Sequence, residues 1–183
     1  MKIICVAGAS SGVGKTTVAC CMLRHLPGWA ALKMTPSHRG GPCPHRQRGC
    51  TVCASLDRPY RLTEMTPEND LPGKDTWRLR EAGASHVFWL VARPEAVARG
   101  LKKALQRLKA VPGVVIEGNS AVQWVDADLV VMVRRRGGEM SASALAAASY
   151  VDRTIFVGET DPASKIEKKC RRIVREMAAR RGR

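Results

Sequence analysis

The sequence is poor in aromatic residues, which make up only 4% of it, and short of acidic ones, with 16 Asp+Glu against 31 Lys+Arg. It has no apolar stretch near the roughly 18–20 residues that a membrane-spanning helix needs, and no internal repeat. The only apolar run near the N-terminus, Ile3 to Ala9, is short and leads straight into a glycine-rich loop. A secretory leader is therefore not expected, and a cytoplasmic setting is. In that setting the seven cysteines point to thiol or metal chemistry rather than disulfides. The scarcity of aromatics removes the stacking platforms of single-strand nucleic-acid binders. No nucleic-acid motif is present, so nucleic acid is disfavoured as a partner despite the charge.

What the sequence does have is 45% hydrophobic residues in 183 positions, enough for one domain with a real core. The net charge is +15. Lys165 to Arg183 carries a net +7 and Lys33 to Arg61 a net +5, so two stretches hold most of the excess. The second reads as a basic loop. The first reads as an amphipathic helix at about 162–181, with Ile166, Cys170, Ile173, Val174 and Met177 at helical spacing. Its basic face is either simply solvated or a surface for a polyanion.

Strand and helix signals alternate. Strands are expected at Lys2–Gly8, Ala30–Met34, Ser85–Val91, Val114–Ile116, Leu129–Val133 and Arg153–Val157. Helices are expected at Lys15–Leu26, Lys74–Ala82, Glu95–Lys109 and Ser141–Ser149, with the basic helix last. The segment from about 35 to 72 is rich in Pro, Gly, Cys and Arg and shows little periodicity, so it is expected to be a long functional loop. The alternation predicts a single α/β domain over 1–183 with a mainly parallel sheet covered on both faces.

The strongest chemical signal lies between the first strand and the first helix: Ala9-Ser10-Ser11-Gly12-Val13-Gly14-Lys15-Thr16-Thr17. It matches the phosphate-binding pattern G-x-x-x-x-G-K-[ST], except that Ala9 replaces the first glycine and Gly8 stands one place earlier. Such a loop aims successive N–H groups, from Ser11 through Thr17, at one concavity by the positive end of a helix. Lys15 is placed to reach the β- and γ-phosphates of GTP or ATP, and the Thr16 hydroxyl to meet Mg²⁺. These features specify a P-loop NTPase three-layer sandwich. Val114-Val115-Ile116-Glu117-Gly118 delivers a carboxylate at a strand's C-terminal edge, where ligands of open parallel sheets bind. Glu117 is a candidate for holding Mg²⁺ through water or orienting an attacking water. The plain alternative is a solvated strand-end carboxylate.

A second constellation is His38, Cys43, His45, Cys50 and Cys53, within sixteen positions. Three thiolates with a nearby imidazole suit zinc, and three thiolates with an outside ligand suit an iron–sulfur cluster. A redox thiol or an ordinary basic loop are the alternatives. Cys5, Cys20, Cys21 and Cys170 read as small buried hydrophobes, and His25 and His86 as structural.

The phosphate loop ending in Thr-Thr, the Val-Val-Ile-Glu-Gly strand end and the segment Pro72-Gly73-Lys74-Asp75-Thr76-Trp77-Arg78-Leu79-Arg80-Glu81-Ala82-Gly83-Ala84 together resemble MobB. That is the adaptor family of molybdopterin-guanine dinucleotide biosynthesis, within the phosphate-loop GTPases. The resemblance spans residues 1 to about 118. It implies a nucleotide-dependent helper in molybdenum-cofactor assembly, homodimeric, with slow GTP hydrolysis, and it places Asp75 and Arg78 near the nucleotide or a second ligand. From the residues alone, Asp75 reads equally as a helix cap. The family's Lys-His pair after the second strand is reduced to Lys33, and Asn119-Ser120 stands where Phe-Lys is usual. These departures mark a divergent branch whose substrate need not be the molybdenum cofactor.

Asp161 is the sole survivor of the guanine-reading N-K-x-D motif, and alternatively caps the last helix with Pro162 at its first turn. The sequence thus predicts Mg-dependent GTP or ATP binding and slow hydrolysis by an accessory factor. Its basic loop suits an acidic partner protein or a phosphorylated cofactor precursor. Two alternatives are a small-molecule kinase or amidoligase-like enzyme, and a nucleotide-gated metal chaperone or switch.

Overall fold

A computed structural model describes residues 1–37, 52, 56–158 and 160–179. Seven strands form one sheet: β1 (Lys2–Gly8), β2 (Ala30–Pro36), β3 (Tyr60–Met65), β4 (Val87–Ala92), β5 (Gly113–Glu117), β6 (Leu129–Arg134) and β7 (Arg153–Phe156). Their spatial order is β3-β4-β2-β5-β1-β6-β7. Every neighbouring pair is parallel except β3–β4, where the edge strand runs antiparallel. The helices are α1 (Lys15–Leu23), α2 (Asp75–Glu81), α3 (Val97–Arg107), α4 (Ala142–Ala147) and α5 (Ala163–Ala179). The expected α/β class with a mainly parallel, helix-flanked sheet is what the chain forms.

Alternation along the strands builds two apolar layers. Ile4 and Val6 of β1 join Val115 and Val131 beneath α1, α2 and α5. Ile3, Cys5 and Ala7 join Val114, Ile116 and Val130 against α3 and α4. The basic C-terminal helix docks as its spacing predicts: Ile166, Cys170, Ile173, Val174 and Met177 are buried. The Arg24 guanidinium, just past α1, pairs with Glu167 of α5 at 2.9 Å.

The sequence reading errs in the segment from about 35 to 72. It is not one loop: β2 runs on to Pro36, and Tyr60–Met65 forms β3. The strand Tyr-Arg-Leu-Thr-Glu-Met hides because it is an edge strand, half-buried along most of its length, so neither face carries an unbroken apolar pattern. Helix ends are also shorter than expected. After Leu23 the chain tightens into i→i+3 bonds, His25 N–H to Met22 O and Leu26 N–H to Leu23 O, both 2.9 Å. Glu95–Lys109 divides into a 3₁₀ turn at Pro94–Ala96 and then α3.

The order places β1 in the interior of the sheet, with the central strand β5 on one side and β6 on the other. The crevice beyond its C-terminal end is where this kind of sheet takes ligands.

Candidate functional site

The loop from Ala9 to Gly14 leaves β1 and enters α1 at this crevice. It is tied down at its start through both backbone groups of Ala9: Ala9 N–H donates to Val133 O and Ser141 N–H donates to Ala9 O, each at 2.8 Å. Gly12 and Gly14 adopt φ of 70° and 103°, left-handed values that L side chains resist. Gly14 is the N-cap of α1, so the helix begins with Lys15. The Lys15 side chain folds back over β1, and its Nζ donates to Ser10 O at 3.1 Å. A Cβ at Gly8 would stand 2.5 Å from Lys15 Cγ. The glycine one place early is therefore what lets Lys15 lie along its own loop. Val13 is buried, while Ser11 and Gly12 are exposed.

Beside the loop, four side chains from four elements close into one cluster. The Thr16 hydroxyl lies 3.0 Å from Asp75 Oδ1 and 3.0 Å from Glu117 Oε2. Its single proton serves one carboxylate at a time. Lys33 Nζ donates to Asp75 Oδ2 and to Glu117 Oε1, each at 2.6 Å. Glu117 is only 1% exposed, so it is no solvated strand-end carboxylate. A charge buried that deeply is costly unless paired, and Lys33 supplies the pairing.

The local electrostatics follow. Burial pulls the Lys15 ammonium below its ordinary value, against the attraction of Glu117. Burial would lower Lys33 too, but Glu117 and Asp75 outweigh it and hold that ammonium above the usual lysine value. Burial works to raise the Asp75 carboxyl, and the bonds from Lys33 and Thr16 more than reverse it.

Asp75 does not act as a helix cap. Lys74 occupies the N-cap position, and the Asp75 carboxylate is directed at Thr16 and Lys33. Arg78, one turn on, donates to Thr17 Oγ1 at 3.0 Å. Arg80 turns away to Met65 O and Asp70, at 2.6 and 3.2 Å. Of the two arginines, only Arg78 reaches the loop's helix.

Asn119, with no role foreseen from sequence, braces the loop. Its side-chain amide accepts from Gly8 N–H at 2.8 Å and donates to Gly8 O at 3.0 Å. It also donates to Ser143 Oγ at 3.1 Å. The signal was its place directly after the Glu-Gly strand end, which carries its side chain to the end of β1.

Asp161 lies apart, beyond β7. Its carboxylate accepts from Gly158 N–H at 2.9 Å and from Lys165 Nζ at 2.8 Å, and Lys165 is first among the causes that lower its pKa. It lines a cleft of about 560 Å³ with Arg135, Arg136, Phe156 and Lys169.

The predicted cysteine-loop ligands His38, Cys43, His45, Cys50 and Cys53 lie outside the described residues. Cys5, Cys20, Cys21 and Cys170 are buried free thiols; burial pushes Cys5 up to about 12 and Cys20 to about 11, the behaviour of inert packing residues, whereas a bond with Cys170 and the nearby Arg24 guanidinium draw Cys21 below its ordinary value. Among the described residues no three His, Cys, Asp or Glu side chains converge as a metal site. The oxygen donors near the loop are one hydroxyl and two carboxylates, which suit Mg²⁺ completed by phosphate and water oxygens. No described helix is long and apolar enough to cross a membrane. The sequence matches no protein-family model and no curated protein.

Proposed function

We propose that the chain binds GTP or ATP with Mg²⁺ and hydrolyses it slowly, as an accessory factor in assembling a metal-containing cofactor. The observation that carries the nucleotide reading is the junction at Thr16. The hydroxyl of the residue after the loop lysine stands 3.0 Å from each of two carboxylates, one from the end of β5 and one from the start of α2. In this reading loop N–H groups and Lys15 hold the phosphates. Thr16 and Glu117, with Asp75 beside them, hold Mg²⁺ directly or through water. The ion neutralises charge that develops on the phosphoryl oxygens. Glu117 also orients the attacking water. The link to cofactor assembly rests on the motifs shared with MobB-type adaptors, which also motivate a homodimer.

The test is calorimetric titration with GTP and ATP in the presence of Mg²⁺. Lys15→Ala is expected to weaken binding of both by about a hundredfold or more, two charged phosphate contacts being lost. Glu117→Gln should retain nucleotide but lose Mg-dependent phosphate release. Unchanged affinity in Lys15→Ala would remove the assignment.

One observation favours a second reading, group transfer to a small molecule: a cleft opens beside Asp75 and Lys33. Phosphate or acyl transfer to an added acceptor would support it over simple hydrolysis.

A further inference from the structure

The cleft next to the Thr16 cluster has a volume of about 480 Å³, in the range of small-molecule sites. It lies on the sheet face that elsewhere is roofed by α1, α2 and α5. β2 has strands on both sides, and such strands normally read as continuous apolar runs. Here the run breaks. Lys33 and Thr35 project on the same face as Ala31, which is buried beneath the helices. Beside them Trp89 of β4 is half-buried, and its indole N–H donates to Thr35 Oγ1 at 3.0 Å. That bond fixes the ring as one wall of the cleft and leaves the Thr35 proton to donate elsewhere.

The charges facing the cleft are two lysines and two aspartates, but they are not equally engaged. Lys33 is bound to Asp75 and Glu117. Asp70 accepts from Thr76 Oγ1 at 2.7 Å and pairs with Arg80. Lys74, at the start of α2, pairs with no carboxylate among the described residues. The charge left over for a ligand is therefore positive. Leu71 also lines the cleft and is 64% exposed, so the lining offers an apolar side chain as well as the Trp89 ring.

We infer that this cleft seats a second ligand, a planar ring-bearing small molecule whose carboxylate or phosphate meets Lys74 while its ring lies on Trp89. Its inner end would adjoin Lys33 and Asp75, which border the phosphate loop. The ligand's part in turnover rests on the nucleotide reading above; its recognition does not.

The test is a titration of the isotope-labelled full chain followed through the Trp89 indole N–H resonance, identified by its loss in Trp89→Phe. The probes are 2-naphthoate, 2-naphthyl phosphate and neutral 2-naphthol. At least one anion is expected to shift the resonance and to bind about tenfold tighter than 2-naphthol, the worth of one charge-assisted hydrogen bond. Whichever anion binds tighter identifies the acidic group. Lys74→Gln, an exposed change, should abolish the preference, and Lys74→Arg should keep it. The inference is overturned if neither anion moves the resonance at millimolar concentration, or if Lys74→Gln leaves the preference intact. Lys15→Ala separates the two readings. Anion binding at Trp89 should survive that change even though nucleotide binding is lost. If it vanished too, the anions were occupying the phosphate loop and the cleft has no ligand of its own.

Discussion

Lys33 stands 2.6 Å from two carboxylates, one of them wholly buried, and is itself mostly withdrawn from solvent. Removing one partner of such a pair leaves an uncompensated charge, while removing both can be nearly neutral. Lys33→Met is therefore expected to destabilise the protein by about 3 kcal/mol, and Lys33→Met combined with Glu117→Leu to recover most of that. Urea denaturation of these two, of Glu117→Leu alone and of the parent protein closes the cycle that measures the coupling. The pH dependence has a definite sign. Asp75 is held below its ordinary 3.8, so its contribution is complete above that pH and disappears as pH falls through the lower folded value. Lys33 is held above its ordinary 10.5, so its contribution is complete below that pH and disappears as pH rises through the higher folded value. Asp75 is almost half exposed, and solvent screening makes its share the smaller. Asp75→Asn should thus flatten the acid limb of a stability-against-pH curve below about pH 4, and also weaken the alkaline limb, because Asp75 is one of the two carboxylates that hold Lys33 up. Among these residues Lys15, Thr16 and Glu117 were legible as a motif and a strand end. Lys33 was visible only through the resemblance to MobB-type adaptors, and its grip on both carboxylates was not, because the partners lie 42 and 84 positions away.

At the scale of elements, α5 shows how one helix can look like a polyanion site and still be structural. Its apolar stripe packs on α1 while Arg171, Arg172 and Arg175 stay exposed. Ile173→Ala should cost about 2–4 kcal/mol through the cavity it leaves, whereas Arg172→Gln should change stability by less than about 0.5 kcal/mol, as surface substitutions do. Thermal unfolding of the two variants tests the division; equal effects would mean that the basic face is also packed. The helix was readable because its 3.6-residue period persists over five buried positions. β3 was not, because an edge strand with mixed side chains on both faces has no period to read, and its pairing with β4 is a long-range fact.

For the whole molecule the excess of 15 positive charges is a source of self-repulsion that a compact fold concentrates. Added salt screens it, with a Debye length falling from about 30 Å at 0.01 M to about 8 Å at 0.15 M. The melting temperature should therefore rise between those conditions, by about 2–4 °C if screening recovers 1 kcal/mol. A melting temperature that falls with salt would show that local ion pairs, such as Arg24–Glu167 and the Lys33 cluster, outweigh the net repulsion. The sequence by itself determined the alternation of strand and helix, the glycine-rich turn between β1 and α1, and the docked face of the last helix. Each is encoded within a few neighbouring residues by period, turn chemistry or steric freedom. Only the tertiary structure decided the strand order, the antiparallel edge, the Asn119 brace on Gly8, and the meeting of Thr16, Lys33, Asp75 and Glu117. Those depend on which distant segments become neighbours, and burial then forces the charged ones to find one another.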